Sequence, residues 1–229
     1  MIQLSERLSL IMSLIPKDAR VCDVGTDHGY LPAALTLGGH VRYVIATDIR
    51  EKPLANARKN LEKMGVENVE LRLCDGLSAL KSDEADTVVV AGMGGEVIAG
   101  ILERAEWVKS GKVTLILQAM TSCEALRDYL GNNGFEIRKE LTLEENGKVY
   151  SVILAVFDGV TRVLSPEYWY VGSIGNNTPS DRAYIEKQYR RVKKCAESLE
   201  NVLGRYERYK EYSNAAEALR RLMEERNGI

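Results

Sequence analysis

The chain has 229 residues, 45% of them hydrophobic, with 31 basic and 33 acidic side chains and a formal net charge of −2. That length holds one α/β domain and an appendage, and no apolar run reaches the roughly 20 residues a membrane span needs. Its four cysteines, Cys22, Cys74, Cys123 and Cys195, form no C-x-x-C pair; a zinc site is therefore not expected, and cytoplasmic free thiols are.

Ser5, Glu6 and Arg7 interrupt any signal-peptide pattern early, and Leu8, Leu10, Ile11, Leu14 and Ile15 recur at helical spacing. Residues 19–22 read as a strand and 31–35 as a helix with Pro32 in its first turn. Between them runs Asp23-Val24-Gly25-Thr26-Asp27-His28-Gly29-Tyr30. Such a turn places backbone N–H groups beside a ligand, and its glycines allow close approach. The leading acid disfavours a phosphate and suits a cofactor with a cationic amino-acid end, which points to the methyl donor S-adenosylmethionine.

Strand-like and helix-like segments then alternate. Strands are expected at 41–49, 69–73, 87–91 and 113–117. Helices are expected at 52–64, closed by Gly65, at 96–105 and at 124–130. Two further strands, 136–143 and 149–157, are joined through Asn146-Gly147, a hairpin signal. Five β-α units and a hairpin predict a seven-stranded, doubly wound α/β sheet with an antiparallel last strand, a Rossmann-like arrangement similar to that of the class I methyltransferases.

Residues 159–180 read as an irregular link. Ser180 or Asp181 is expected to cap a long helix, along which Ile185, Tyr189, Val192, Ala196, Leu199, Leu203 and Tyr206 form a stripe over about 26 residues, roughly 40 Å. Gly204 is its weak point, and Ser213-Asn214 reads as a turn. Ala215, Ala218, Leu219 and Leu222 mark a second helix, so the tail is predicted to be an antiparallel coiled coil. The domains are expected at 1–160 and 161–229. Residues 1–180 carry roughly five more acids than bases and 181–229 roughly three more bases than acids. This asymmetry fits a polyanion held by the tail, and equally an ordinary solvated helical hairpin.

Ligands of doubly wound sheets sit over the carboxyl ends of the strands. Here three successive ends carry an acid. Asp23 is placed near the donor's ammonium group, Asp48 on its ribose hydroxyls and Asp75 on its adenine amino group. Ile49 and Met93 are candidate walls for the adenine, and Arg7 is within reach of the carboxylate. Gly25, Thr26, Gly29, Gly76, Gly92 and Gly94 complete the candidate cofactor set. Asp27 stands where a third glycine is usual, and with His28 and Tyr30 it either braces the loop or faces the methyl acceptor. No metal site is expected.

The run Gly25-Thr26-Asp27-His28-Gly29-Tyr30, with Ala46-Thr47-Asp48-Ile49, Asp75-Gly76-Leu77 and Ala91-Gly92-Met93-Gly94-Gly95, resembles the bacterial tRNA adenine-22 N1-methyltransferases. The resemblance covers essentially the whole chain, from Leu4-Ser5-Glu6-Arg7-Leu8 to the helical tail, with 168–177 less typical. It implies a class I domain, S-adenosylmethionine as donor, N1 of an adenine in the D-arm of tRNA as acceptor, and a coiled-coil tail that helps hold tRNA. On that basis Asp27, His28 and Tyr30 are the acceptor-side candidates. Arg190, Arg191, Lys193, Lys194, Arg205, Arg208 and Lys210 are the phosphate-contact candidates, and a monomer is expected. A small-molecule methyltransferase with a dimerising tail, and a non-catalytic RNA-binding protein, are the alternatives.

Overall fold

The computed structural model describes residues 3–224. Helix α1 (Glu6–Leu14) precedes β1 (Arg20–Val24), α2 (Tyr30–Leu37), β2 (Tyr43–Asp48), α3 (Glu51–Lys63), β3 (Val69–Leu73), β4 (Thr87–Gly94), α4 (Gly95–Glu103), β5 (Thr114–Thr121) and α5 (Cys123–Asn132). The hairpin β6 (Phe135–Glu145) and β7 (Lys148–Phe157) closes the sheet, whose order is β3-β2-β1-β4-β5-β7-β6. The first five strands are parallel, while β7 is antiparallel to both β5 and β6. The hairpin turns on Asn146 (φ 52) and Gly147 (φ 69), two left-handed residues of the kind a tight hairpin requires.

The central strands are apolar on both sides because helices cover both faces. Val88, Val90, Leu115 and Leu117 face a core with Ile98, Leu102 and Leu126. Val21, Val44, Val89 and Ile116 face the other, closed by Ile11 and Ile15 around α1 and by Leu31 and Leu35 of α2.

Several expectations change. The strand expected to stop at Ala91 runs on to Gly94, with register shifts against β5 at Ala91/Met93 and Met93/Gly94. Gly92 (φ 80) supplies the left-handed residue there. Within the expected link lies α6 (Pro166–Val171), a short helix that Pro166 opens and the burial of Tyr170 and Val171 holds. The tail helix α7 (Pro179–Leu199) is capped by Thr178, not by Ser180 or Asp181. Pro179 holds Thr178 extended (φ −118, ψ 162), and Asp181 instead completes the capping box.

The predicted stripe ends early. The chain turns at 200–205, with Gly204 left-handed at φ 75, so Leu203 is fully exposed and Tyr206 is 66% exposed. Ser213-Asn214 lies inside α8 (Tyr206–Glu224), where the burial of Ala215, Ala216 and Leu219 overrides their turn preference. The tail core draws Tyr170 and Val171 from α6, Ile185 and Val192 from α7, and Ala215 and Leu219 from α8. It is thus a three-helix unit rather than a seam between two helices.

A buried ion pair joins this unit to the sheet. Arg127 on α5 donates from Nε to Glu140 on β6 at 2.9 Å, and both side chains are 0% exposed. Its Nη1 reaches the carbonyls of Trp169 (2.9 Å) and Tyr170 (3.0 Å), and Nη2 reaches the Tyr184 hydroxyl (3.2 Å). The second oxygen of Glu140 accepts from the Ser173 amide at 2.7 Å. Gly172 (φ 59) presses on that carboxylate, and a Cβ there would collide with it. Removing one member leaves the other charge buried and alone. Arg127→Leu is expected to cost about 3–5 kcal/mol in urea unfolding, and Arg127→Leu with Glu140→Leu to recover most of it.

Candidate active site at the carboxyl edge of the sheet

Strand order reverses between β1 and β4, so the loop after β1 opens over a crevice. The loop folds back on β2, with the amides of Gly25 and Thr26 both donating to the Thr47 carbonyl (2.8 and 3.0 Å). Gly25 (φ 77), Asp27 (φ 48) and Gly29 (φ 70) are left-handed. For Asp27 that conformation costs on the order of 1 kcal/mol, which glycine would avoid.

Two cavities flank Gly25. The larger, about 400 Å³, is lined by Arg7, Asp23, Thr26, Asp27, His28, Tyr30, Gly92 and Met120. The second, about 270 Å³, is lined by Asp48, Ile49, Asp75, Gly76, Met93 and Arg104. Both include Gly25, and the Met93 methyl group packs so closely over it that a Cβ would collide. A two-ended ligand laid across Gly25 would occupy both.

In the larger cavity Asp23 is only 6% exposed, and no cation pairs with it among the described residues. Burial pushes its carboxyl up to about 6. The Thr26 hydroxyl is buried beside it and offsets only part of that rise. Asp27, His28 and Tyr30 stand on the rim. His28 Nε2 lies 3.4 Å from Asp27 Oδ2, and the His28 and Tyr30 rings are 5.6 Å apart.

Arg7 reaches this cavity from α1. Its Nη1 donates to Gln118 Oε1 (3.1 Å) and to Met120 Sδ (3.3 Å), and its guanidinium lies 5.6 Å from the Tyr150 ring centre. Arg7 Nε is buried and unpartnered. Gln118 Oε1 also accepts from the Gly92 amide at 3.1 Å. Gln118, fully buried, thus ties α1 to the β4 bulge. A lone amide at the end of an apolar run is the one signal of this tie that the sequence carries.

In the second cavity Asp48 Oδ1 accepts from the Arg50 amide at 2.9 Å, and its other oxygen takes no hydrogen bond from the described residues. Asp75 is paired with Arg104 at 3.3 Å, so that arginine competes for any amino group placed there. Ile49 is 62% exposed at the mouth. Gly76 (φ 59) is needed because a Cβ would come within 2.9 Å of Ile101.

Two predicted cofactor glycines lie outside both cavities. A Cβ on Gly29 would meet Ala57 of α3 at 3.2 Å, which makes it a packing glycine. Gly94 caps α4, its open side toward Thr121 at 3.3 Å. In the tail, Arg191 is committed to Glu124 through two bonds of 2.8 and 2.9 Å and lies over the Tyr170 ring, so it is a brace between α7 and α5. Arg190 pairs with Glu186 and Lys193 approaches Glu197 along α7. Lys194, Arg205, Arg208 and Lys210 are exposed. Among the described residues no cluster of His, Cys, Asp or Glu is arranged to hold a metal ion, and no helix is long and apolar enough to cross a membrane.

The description "Methyltransferase domain" matches residues 4–153. The tRNA (adenine(22)-N(1))-methyltransferase of Bacillus subtilis is 36% identical over 168 residues, 70% of this chain and 71% of that protein. The solved structure of the B. subtilis M1A22 tRNA methyltransferase TrmK superposes with a TM-score of 0.86 at 28% identity, covering 97% of this chain and 100% of that one. A Streptococcus pneumoniae protein solved in complex with S-adenosyl-L-methionine gives 0.81 at 30% identity, covering 96% and 100%. Sequence identity at that level over 70% of the chain, with fold agreement continuing through the helical tail, makes this chain a member of the tRNA (adenine(22)-N(1))-methyltransferase family.

Proposed function

We propose that the protein transfers a methyl group from S-adenosylmethionine to N1 of adenine 22 in the D-arm of tRNA. The observation that carries the donor is the buried Asp23, with Thr26 beside it and no cation paired with it among the described residues, in the larger cavity next to the shared Gly25. A cationic amino-acid end would neutralise that carboxylate. On this reading Arg7 binds the carboxylate of that end, Asp48 the ribose, and Asp75 with Ile49 and Met93 the adenine. When bound, the donor supplies a methyl group made electrophilic by a positively charged sulfur.

Adenine N1 carries a free lone pair, so these residues need no strong base. Their task is to align the base and to offset the charge it gains. N1 lies on the Watson–Crick edge, so the base must leave its stem before it can enter the larger cavity. On this reading Asp27, on the rim, accepts from the adenine N6 amino group and balances the ring charge, and Tyr30, with His28 beside it, stacks on the base. The tetra-residue stretch Gly92-Met93-Gly94-Gly95 stands where exocyclic amino methyltransferases carry Asn/Asp-Pro-Pro-Tyr, which agrees with a ring-nitrogen target. Residues 1–160 act as the catalytic unit. Residues 161–229, with α7 and α8 as an antiparallel arm, hold tRNA. Lys194, Arg205, Arg208 and Lys210 are its phosphate contacts, since Arg191 is already committed to Glu124.

Incubation with labelled S-adenosylmethionine and unmodified tRNA is expected to yield 1-methyladenosine, and label in any other nucleoside overturns the assignment. Asp27→Asn is expected to lower kcat at least tenfold while the donor Kd stays within twofold, as read by calorimetry. Because burial raises the Asp23 carboxyl to about 6, its ionisation costs stability that appears as the pH rises from about 4 to 6. Asp23→Asn is therefore expected to stabilise the free protein by up to about 2–3 kcal/mol above pH 6, and by nothing near pH 4. The same variant is expected to weaken donor binding at least tenfold at neutral pH and to abolish the loss of wild-type affinity below about pH 6. Neutralising Lys194, Arg205, Arg208 and Lys210 together is expected to flatten the log–log salt dependence of tRNA binding by about 3. Arg191→Ala is expected to lower Tm without that flattening.

A further inference from the structure

A third cavity, about 210 Å³, opens beside the larger one, between the ends of β5 and β7 and the face of α7. The proposed reaction assigns it nothing. Met120 lines both cavities, so they adjoin. Tyr150 lines the third cavity and carries the Arg7 guanidinium over its ring, which makes it the partition on the reaction side.

Its chemistry is distinctive. Gln188 lines it from α7 and is only 6% exposed, yet its amide takes part in no hydrogen bond with the described residues, and Oε1 is fully enclosed. A buried amide without partners costs stability, so it is expected where a ligand completes it. Lys187 adds a cation at the mouth, held by the Val149 carbonyl at 3.1 Å. An aromatic ring, a free amide and a cation are what proteins use to hold an unstacked nucleotide: the ring for the face of the base, the amide for its edge and the cation for its phosphate.

We propose that this cavity takes the unstacked base of a nucleotide next to the target adenine, and that the Gln188 amide reads its edge. The inference rests on the methyl-transfer reading above. Withdrawing one base from a stem unstacks its neighbour, and the neighbour's cavity would then adjoin the reaction cavity, as this one does. Gln188 is on this account a specificity-determining residue of the tail, and α7 acts in recognition as well as in phosphate contact.

The test uses the full-length protein with unmodified tRNA and with tRNAs exchanged at either nucleotide flanking adenine 22. Gln188→Leu keeps the side-chain bulk and removes the amide. It is expected to raise KM for tRNA roughly tenfold and to erase the wild-type ranking of the exchanged tRNAs. Donor Kd and kcat should stay within twofold, and Tm should be unchanged or higher. An unaltered KM and ranking overturn the proposal, and so does a rise in KM with the ranking intact, which would mark Gln188 as a general contact. If the leucine variant does not fold, Gln188→Glu, which exchanges a donor for an acceptor, must reorder the ranking, and an unchanged order is equally fatal. Wild-type protein that methylates no tRNA refutes the parent reading itself, an outcome visible before any variant is made.

Discussion

Asp23 ends the central strand β1, with parallel β2 on one side and parallel β4 on the other. Two neighbouring strands exclude water from its carboxyl and lift it to about 6, with no cation among the described residues to compensate. That cost is tolerable only because the position is the reversal point of the sheet, where the chain must open a crevice. The rest of the site follows from it. Gly25 and Thr26 turn onto the Thr47 carbonyl, and the acids of the next two strand ends line up along one wall. The site stores an unsatisfied negative charge where the proposed ligand would bring a positive one.

The second constraint is mechanical. Arg127 and Glu140, both fully buried, draw together α5, β6, the end of α6 and the start of α7 through direct hydrogen bonds. Desolvating both charges makes the pair a poor source of net stability, but an exacting one in geometry. It holds the tail against the antiparallel hairpin, and Arg191 with Glu124 repeats the clamp nearer the surface. The face of α7 is thereby brought beside the larger cavity, and Tyr150, Met120 and Gln188 line the space between.

Much of the fold was legible because its signals are local and periodic. The β-α alternation, the Asn146-Gly147 hairpin and the acids at residues 23, 48 and 75 lie where the chain pattern put them. Boundaries were lost where two local rules competed. Pro179 moved the α7 cap back to Thr178, and burial of Ala215 and Leu219 carried α8 through Ser213-Asn214. That Gly29 faces Ala57 and Gly94 faces Thr121 was not legible, because sequence cannot say which way the open side of a glycine faces. The pairing of Arg191 with Glu124 was not legible because the two lie 67 positions apart.

The sequence by itself determined the α/β class, the strand-end acids and the family resemblance, since each is written in residue type and short-range spacing. Tertiary structure alone decided that Asp23 is buried with no cation beside it among the described residues, that Gln118 joins Arg7 to Gly92, that the tail is a three-helix unit, and that Gln188 looks into a cavity beside the larger one. Burial and long-range hydrogen bonds are properties of surfaces brought together from distant parts of the chain. No window of sequence contains both sides of such a contact.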